Sequence, residues 1–229
     1  MAAVVSGETA AVRRGRPPQT VEQAEEVRQR IIDATAAVFA RSGSRGLSVA
    51  SIIEQAGLAR PTFYRYFPNA TEPLNVVLDA SNDGLVSAIA TALSGSDEPV
   101  QLGIRLIDAY MDWARGHGTM LRPLFAELHD PGSPVSAYRE RALDDIRALV
   151  RKAFAELGRR APSPLDMDAA LHVCEYLVYR LAIGTEPATQ PDAALTAEAR
   201  LVMIRVLLVT LGTRDDLAYA MELPGLIAE

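Results

Sequence analysis

Residues 57–67 read GLARPTFYRYF. In about three helical turns this run holds Arg60 and Arg65, Tyr64 and Tyr66, and Phe63 and Phe67. A core wants the rings without the arginines, and a solvated face wants the arginines without the rings. Helical spacing separates the two sets. A short helix over 60–67 tolerates Pro61 in its first turn, where the missing N–H has no partner to lose. Phe63 and Phe67 then lie at i and i+4 on one face and can pack inward. Arg60, Thr62, Tyr64, Arg65 and Tyr66 remain outside the core face.

The preceding stretch, SVASIIEQAG, predicts another short helix that starts at Ser48 and ends at Gly57. Ile52, Ile53 and Ala56 are expected to face inward, and Leu58 to be buried in the turn. Two short helices joined by a tight glycine turn form a helix-turn-helix, whose second helix enters the major groove. The turn calls for a small residue at Gly57, and the crossing for a small residue at Ala50 or Ala56. Arg60 can meet guanine with two hydrogen bonds, while the Thr62 hydroxyl and methyl suit a base edge and a thymine. Tyr64, Arg65 and Tyr66 suit phosphates, which set register. Upstream, Thr20 opens TVEQ, a capping-box pattern. Ile31, Ile32, Val38 and Phe39 recur at helical spacing, with Thr35 positioned to bond back to a carbonyl one turn earlier. Gly43 and Gly46 stop that helix.

Charge supports a nucleic-acid partner only when it is divided along the chain. The whole carries −6, yet residues 1–70 hold nine arginines against six acids, which leaves the remainder strongly acidic. A basic head on an acidic body permits contact with a polyanion through the head.

The segment RIIDATAAVFARSGSRGLSVASIIEQAGLARPTFYRYFPNATEPL resembles the DNA-binding domain of the tetracycline-repressor (TetR) family, most sharply in Q-A-G-L-x-R followed by T-F-Y-R-Y-F. The resemblance covers about 25–78. It implies an all-α protein: an N-terminal three-helix helix-turn-helix DNA-binding domain (20–70) and a larger helical ligand-binding and dimerisation domain (71–229). Residues 1–19 are read as a disordered basic arm. The resemblance further implies a homodimeric repressor on a palindromic operator, released by a small-molecule effector. Arg60, Pro61 and Thr62 correspond to the base-reading end of the recognition helix, and Tyr64, Arg65 and Tyr66 to its backbone-contacting part. Ser48, at the start of the preceding helix, joins the expected DNA contacts. Two positions depart from the family pattern. Ala59 replaces the usual Ser or Thr cap, leaving an N–H without a side-chain partner. Ala70 replaces a phosphate-gripping lysine. Arg14 and Arg16 of the arm could compensate by entering an A·T-rich minor groove.

Beyond the head, glycine- and proline-rich breaks predict helices at 71–93, 100–116, after Pro123, at 135–159, 165–183 and 192–212, with one or two further turns after Gly212. Tyr110, Met111, Trp113, Met120, Phe125, His129, His172, Tyr176 and Tyr179 are candidate pocket residues for an apolar or planar effector, although each alone fits plain core. His117 reads as a loop residue. Asp168, His172 and Glu175 share one helix face, so a metal-dependent helical enzyme stands as an alternative, as does a regulator controlled by a protein partner without a small ligand. No cofactor motif is present. The sole cysteine, Cys174, allows no intrachain disulfide, fits a reducing cytoplasm and reads as a buried thiol. The most apolar run, LVMIRVLLVTL (201–211), falls short of the ~20 residues of a membrane span. It is apolar on nearly every side, however, and must be covered. The expected cover is a second copy, and the resemblance implies that it is reached through the helices at 165–183 and 192–212.

Overall fold

The computed structural model describes residues 20–95, 98–183 and 192–227, and these contain ten α-helices and no strand. The head consists of α1 (Val21–Ser42), α2 (Val49–Ala56) and α3 (Arg60–Phe63). The body contains α4 (Thr71–Leu93), α5 (Pro99–His117), a 3-10 turn (Gly118–Met120), α6 (Leu121–Glu127), α7 (Pro134–Glu156), α8 (Pro164–Ile183), α9 (Ala193–Leu211) and α10 (Arg214–Glu222). Residues 1–19, which include Arg14 and Arg16, lie outside the described residues.

The helix starts follow from local chemistry. Thr20 and Gln23 form the capping box of α1, and the Ser48 hydroxyl accepts from the Ser51 N–H at 3.1 Å to cap α2. Ala59 gives α3 no side-chain cap. Ala70 gives none to α4 either, but Asn69 substitutes: its Oδ1 accepts from the Thr71 and Glu72 N–H groups at 2.9 and 3.1 Å. The α2–α3 turn needs Gly57 for a reason other than size. A Cβ there would meet nothing, but its φ of 61° lies in the left-handed region that glycine adopts most freely.

The head has its own core. Ile31, Ile32, Ala34, Ile52, Ala56, Phe63 and Phe67 pack together with Val77 from α4, so the first body helix helps close the head. Thr35 is fully buried and donates to the Ile31 carbonyl at 2.7 Å. Of the two small residues expected at the crossing, Ala56 is buried and Ala50 is exposed; Leu58 is only half-buried. Phe39, at the far end of α1, belongs to the body core, so α1 ties both cores together.

Helix α4 is long and apolar enough to satisfy a membrane-span criterion. Its buried residues, including Leu74, Leu78, Leu85 and Ile89, instead pack into the two cores. Helix α7 ends at Glu156, earlier than the expected 159, as the chain turns through Gly158 at φ 66°. The following Arg159 is bidentate to Asp216 of α10, at 2.6 and 2.9 Å.

Burial alone would raise the Asp216 carboxyl, but the Arg159 guanidinium and the Thr213 donors outweigh it and hold the carboxyl below the usual carboxylate range. A depressed folded pKa stabilises the protein fully above the unfolded-state value of roughly 4, and this contribution is lost as pH falls through the folded value. Asp216→Asn is therefore expected to cost about 1–3 kcal/mol at neutral pH in urea unfolding. The gap to wild type should close on acidification, and a gap unchanged down to the acid transition would contradict the assignment.

Candidate functional site

The recognition element is shorter than its sequence suggests. Regular α-helix covers Arg60–Phe63 only, and 64–66 continue as a turn. There the Arg65 and Tyr66 N–H groups bond three residues back, to the Thr62 and Phe63 carbonyls. This tightening winds the last turn more narrowly than an α-helix, while the Phe67 N–H still reaches the Phe63 carbonyl at 3.1 Å. Phe63 is fully buried and Phe67 nearly so, with ring centroids 6.1 Å apart. Arg28 of α1 covers the Phe67 ring at 5.5 Å.

On the outer side, Arg60, Pro61, Tyr64 and Arg65 are exposed and Thr62 is half-exposed. The Arg60 guanidinium lies 5.9 Å from the Tyr64 ring centre, which steadies it without using its hydrogen-bonding edge. Tyr64 in turn meets Phe63 edge-on. Tyr66 departs from expectation: it is half-buried and packs against the head core, because the tightened turn rotates it inward. Ser48 is exposed, with its hydroxyl engaged as the α2 cap.

The body has a partly open cavity of about 80 Å³ between α4, α5, α6, α7 and α8. On the same measure one water needs roughly 10–15 Å³. Three of the expected pocket residues line it: Tyr110, Trp113 and Phe125. Tyr110 and Trp113 stack at 5.8 Å, and the Trp113 Nε1–H donates to the Ser81 carbonyl at 3.0 Å. The other candidates lie elsewhere. Met111 is body core, Met120 packs between the head and body cores, and Tyr179 packs against the body core. Tyr176 is 58% exposed on α8. His129 and His172 are exposed and stack on each other at 5.8 Å. His117 ends α5, packs at a tilt against Trp113 with ring centres 4.5 Å apart and is half-buried, so it is no loop residue.

The polar wall of the cavity was not legible in the sequence. Arg139 of α7 grips Glu175 of α8 through Nε and Nη2, both at 2.8 Å, and Glu140 through Nη1 at 2.6 Å. Its Nη2 also lies 3.1 Å from His172 Nε2. Guanidinium only donates, so His172 Nε2 accepts and its Nδ1–H donates to the Asp168 carbonyl at 2.7 Å. This settles the fate of the expected Asp168–His172–Glu175 face. The Asp168 carboxylate is bound by Arg147, and the nearest ligand-like group is His129, His172 and Glu175. A cation there would have to displace Arg139.

A short helix-turn-helix head carried on a helical body with a cavity defines a DNA-binding regulator. A family model described as "Bacterial regulatory proteins, tetR family" matches residues 31–72. The HTH-type transcriptional regulator TtgR of Pseudomonas putida is 28% identical over 160 residues, 66% of this chain and 75% of TtgR. The Pseudomonas putida protein named "Probable HTH-type transcriptional regulator ArpR" is 33% identical over 159 residues, 66% of this chain and 74% of its own length. Among solved structures, the fatty acid degradation regulator FadR from Bacillus halodurans superposes with a TM-score of 0.63 at 18% identity, covering 78% of this chain and 94% of that one. The chain belongs to the TetR family of transcriptional regulators and is not an enzyme.

Cys174 lies in the cavity wall. Burial, and then the Glu175 carboxylate, push its thiol up to about 12. Native protein at about pH 8 is expected to react with a disulfide reagent only as fast as it unfolds. Rapid, stoichiometric labelling without unfolding would overturn this.

Proposed function

We propose that the chain is a homodimeric repressor that reads a roughly palindromic operator with Arg60 and Thr62, and leaves it when a small apolar effector fills the body cavity. Pro61 is read as setting the angle of approach, and Tyr64, Arg65 and Ser48 as lying against the phosphate backbone. Tyr66 keeps at most an edge for such a contact. Arg14 and Arg16 are read as minor-groove contacts of the arm. The dimer reading draws support from apolar side chains that the single chain leaves open on α8 and α9, Tyr176 and the 70%-exposed Val209 among them. A two-fold axis through these helices would present two heads to successive half-sites. The setting would be the cytoplasm, where DNA is reached directly.

The observation that carries the regulatory part is α6. Leu124 and Phe125 of this seven-residue helix, and Leu128 just after it, line the cavity. Glu127, between them, accepts from the Ser44 N–H at 2.8 Å in the α1–α2 turn of the head. Arg45 of the same turn reaches Asp130 at 2.7 Å. A ligand that shifts α6 therefore pulls on the head through this hydrogen bond and this ion pair. Such a ligand acts only through its differential affinity for the DNA-competent and released states. The cavity also counts against control by a protein partner alone, which would be served by a fully packed body. FadR's name ties that protein to fatty acid degradation, which makes alkanoates the rival class of effector to test here.

Selection from a random duplex pool is expected to yield a two-half-site operator. Arg60→Ala should weaken binding to it by ~1–3 kcal/mol and relax preference at the base pair it reads. Unchanged affinity and preference in a competition shift assay would remove Arg60 from base readout.

A further inference from the structure

The cavity's own chemistry narrows the class of effector beyond the reading above, on which the inference rests. Tyr110 is 9% exposed and lines the cavity, and its hydroxyl is buried with no hydrogen-bond partner. A buried hydroxyl left without a partner is costly and rare. Burial, with the nearby Cys174 and Glu175, pushes this phenol well above its ordinary pKa, only partly offset by Arg139, so it stays protonated. The hydroxyl is closed off from the cavity as it stands, so a ligand must part the surrounding side chains to reach it, and it then offers one neutral hydrogen bond.

The charge in the wall is already balanced. Arg139 and Glu175 are the residues of formal charge among those lining the cavity, and they are paired with each other. Four of the five guanidinium N–H groups of Arg139 are engaged, by Glu175, Glu140 and His172. An anionic head would find a single guanidinium N–H left over and would lie beside the Glu175 carboxylate. A cation would meet a carboxylate that is already neutralised, and would give up its hydration in exchange. The apolar part of the wall has a direction. Lining residues of the cavity run along α4 from Leu78 to Ile89, along α7 from Val135 to Ile146, and along α5 from Trp113 back to Leu106.

A second cavity of about 70 Å³ continues the same three helices, with Leu93, Val150 and Leu102 in its wall. Leu106 is the residue common to both walls. It is the wall that the two cavities share, and the second is also lined by the paired Arg159 and Asp216.

The geometry points to an uncharged amphiphile as the ligand of the cavity: one hydrogen-bonding group meets the Tyr110 hydroxyl, and an apolar chain runs along α5 with Leu106 setting its length. Trp113 is the only tryptophan in the sequence and lines the cavity, so its emission reports occupancy. The experiment titrates the full-length protein with octanol, decanol, octane and octanoate at about pH 8, where the acid is ionised. The same probes are then added to the complex with the selected operator. Octanol is expected to bind at least about tenfold tighter than octanoate. Tyr110→Phe should weaken octanol by roughly 2–10-fold, the worth of one hydrogen bond, and leave octane unaffected. Leu106→Ala should shift the preference from octanol toward decanol.

Octanoate binding as tightly as octanol and releasing DNA would leave the effector reading standing and overturn the uncharged-ligand proposal. Octanol affinity unmoved by Tyr110→Phe, or chain-length preference unmoved by Leu106→Ala, overturns it too. If no probe alters Trp113 emission or frees the operator, the effector reading falls together with it.

Discussion

Two phenylalanine rings hold the reading surface of this protein in place. A helix of four residues cannot persist in water by itself, because nucleation costs more than so few hydrogen bonds return. Here α3 also lacks a side-chain cap. What fixes it is burial of Phe63 and Phe67 against Ile31, Ile32, Ile52 and Ala56, at roughly 1.5–3 kcal/mol for each ring taken from water. The exposed Arg60 and Arg65 are aimed only because the rings opposite them are trapped. The left-handed Gly57 sets where α3 begins, and Arg28 seals the far ring.

The same logic of one element with two faces operates in α6. Its apolar residues help enclose the cavity while Glu127 grips the head's first turn, 83 positions earlier in the chain. Head and body are joined further by α1 and α4, each of which supplies residues to both cores. A binding event in the body therefore has short, packed routes to the head. Inside the body, the Arg139–Glu175 pair does two things at once. It neutralises the one acidic group in the cavity wall, and it occupies the ligands that would otherwise make His172 and Glu175 a metal site.

Legibility in the sequence follows the range of the interactions. The helical class, the caps at Thr20 and Ser48, the Thr35 back-bond and the inward Phe63 and Phe67 are all set by neighbours within about one turn, and all are legible directly. The half-buried position of Tyr66 is not, since it goes with the three-residue hydrogen bonds that replace regular α-helix at 64–66. Gly57 is legible as a turn residue, but backbone conformation and not size is its constraint. In the body, Tyr110, Trp113 and Phe125 are within reach because aromatic residues in a helical body tend to gather. Arg139 is hidden among the many charge pairs of α7. Its partner lies 36 positions away, and an isolated arginine gives no sign that it will be buried. Tyr176 and Tyr179 share their residue type with Tyr110 but lie outside the cavity wall on α8, as does His172, while Met120 ends the 3-10 turn and His129 lies in the turn after α6.

The orientation of α3 can be tested at the level of single side chains. A photo-reactive phenylalanine derivative at position 62 should cross-link, on irradiation, to bases in each half of the selected operator, and the same group at position 221 on α10 should give no DNA adduct. Failure of position 62 to cross-link in a variant that still binds the operator would contradict the claim that this face of the helix lies in the groove.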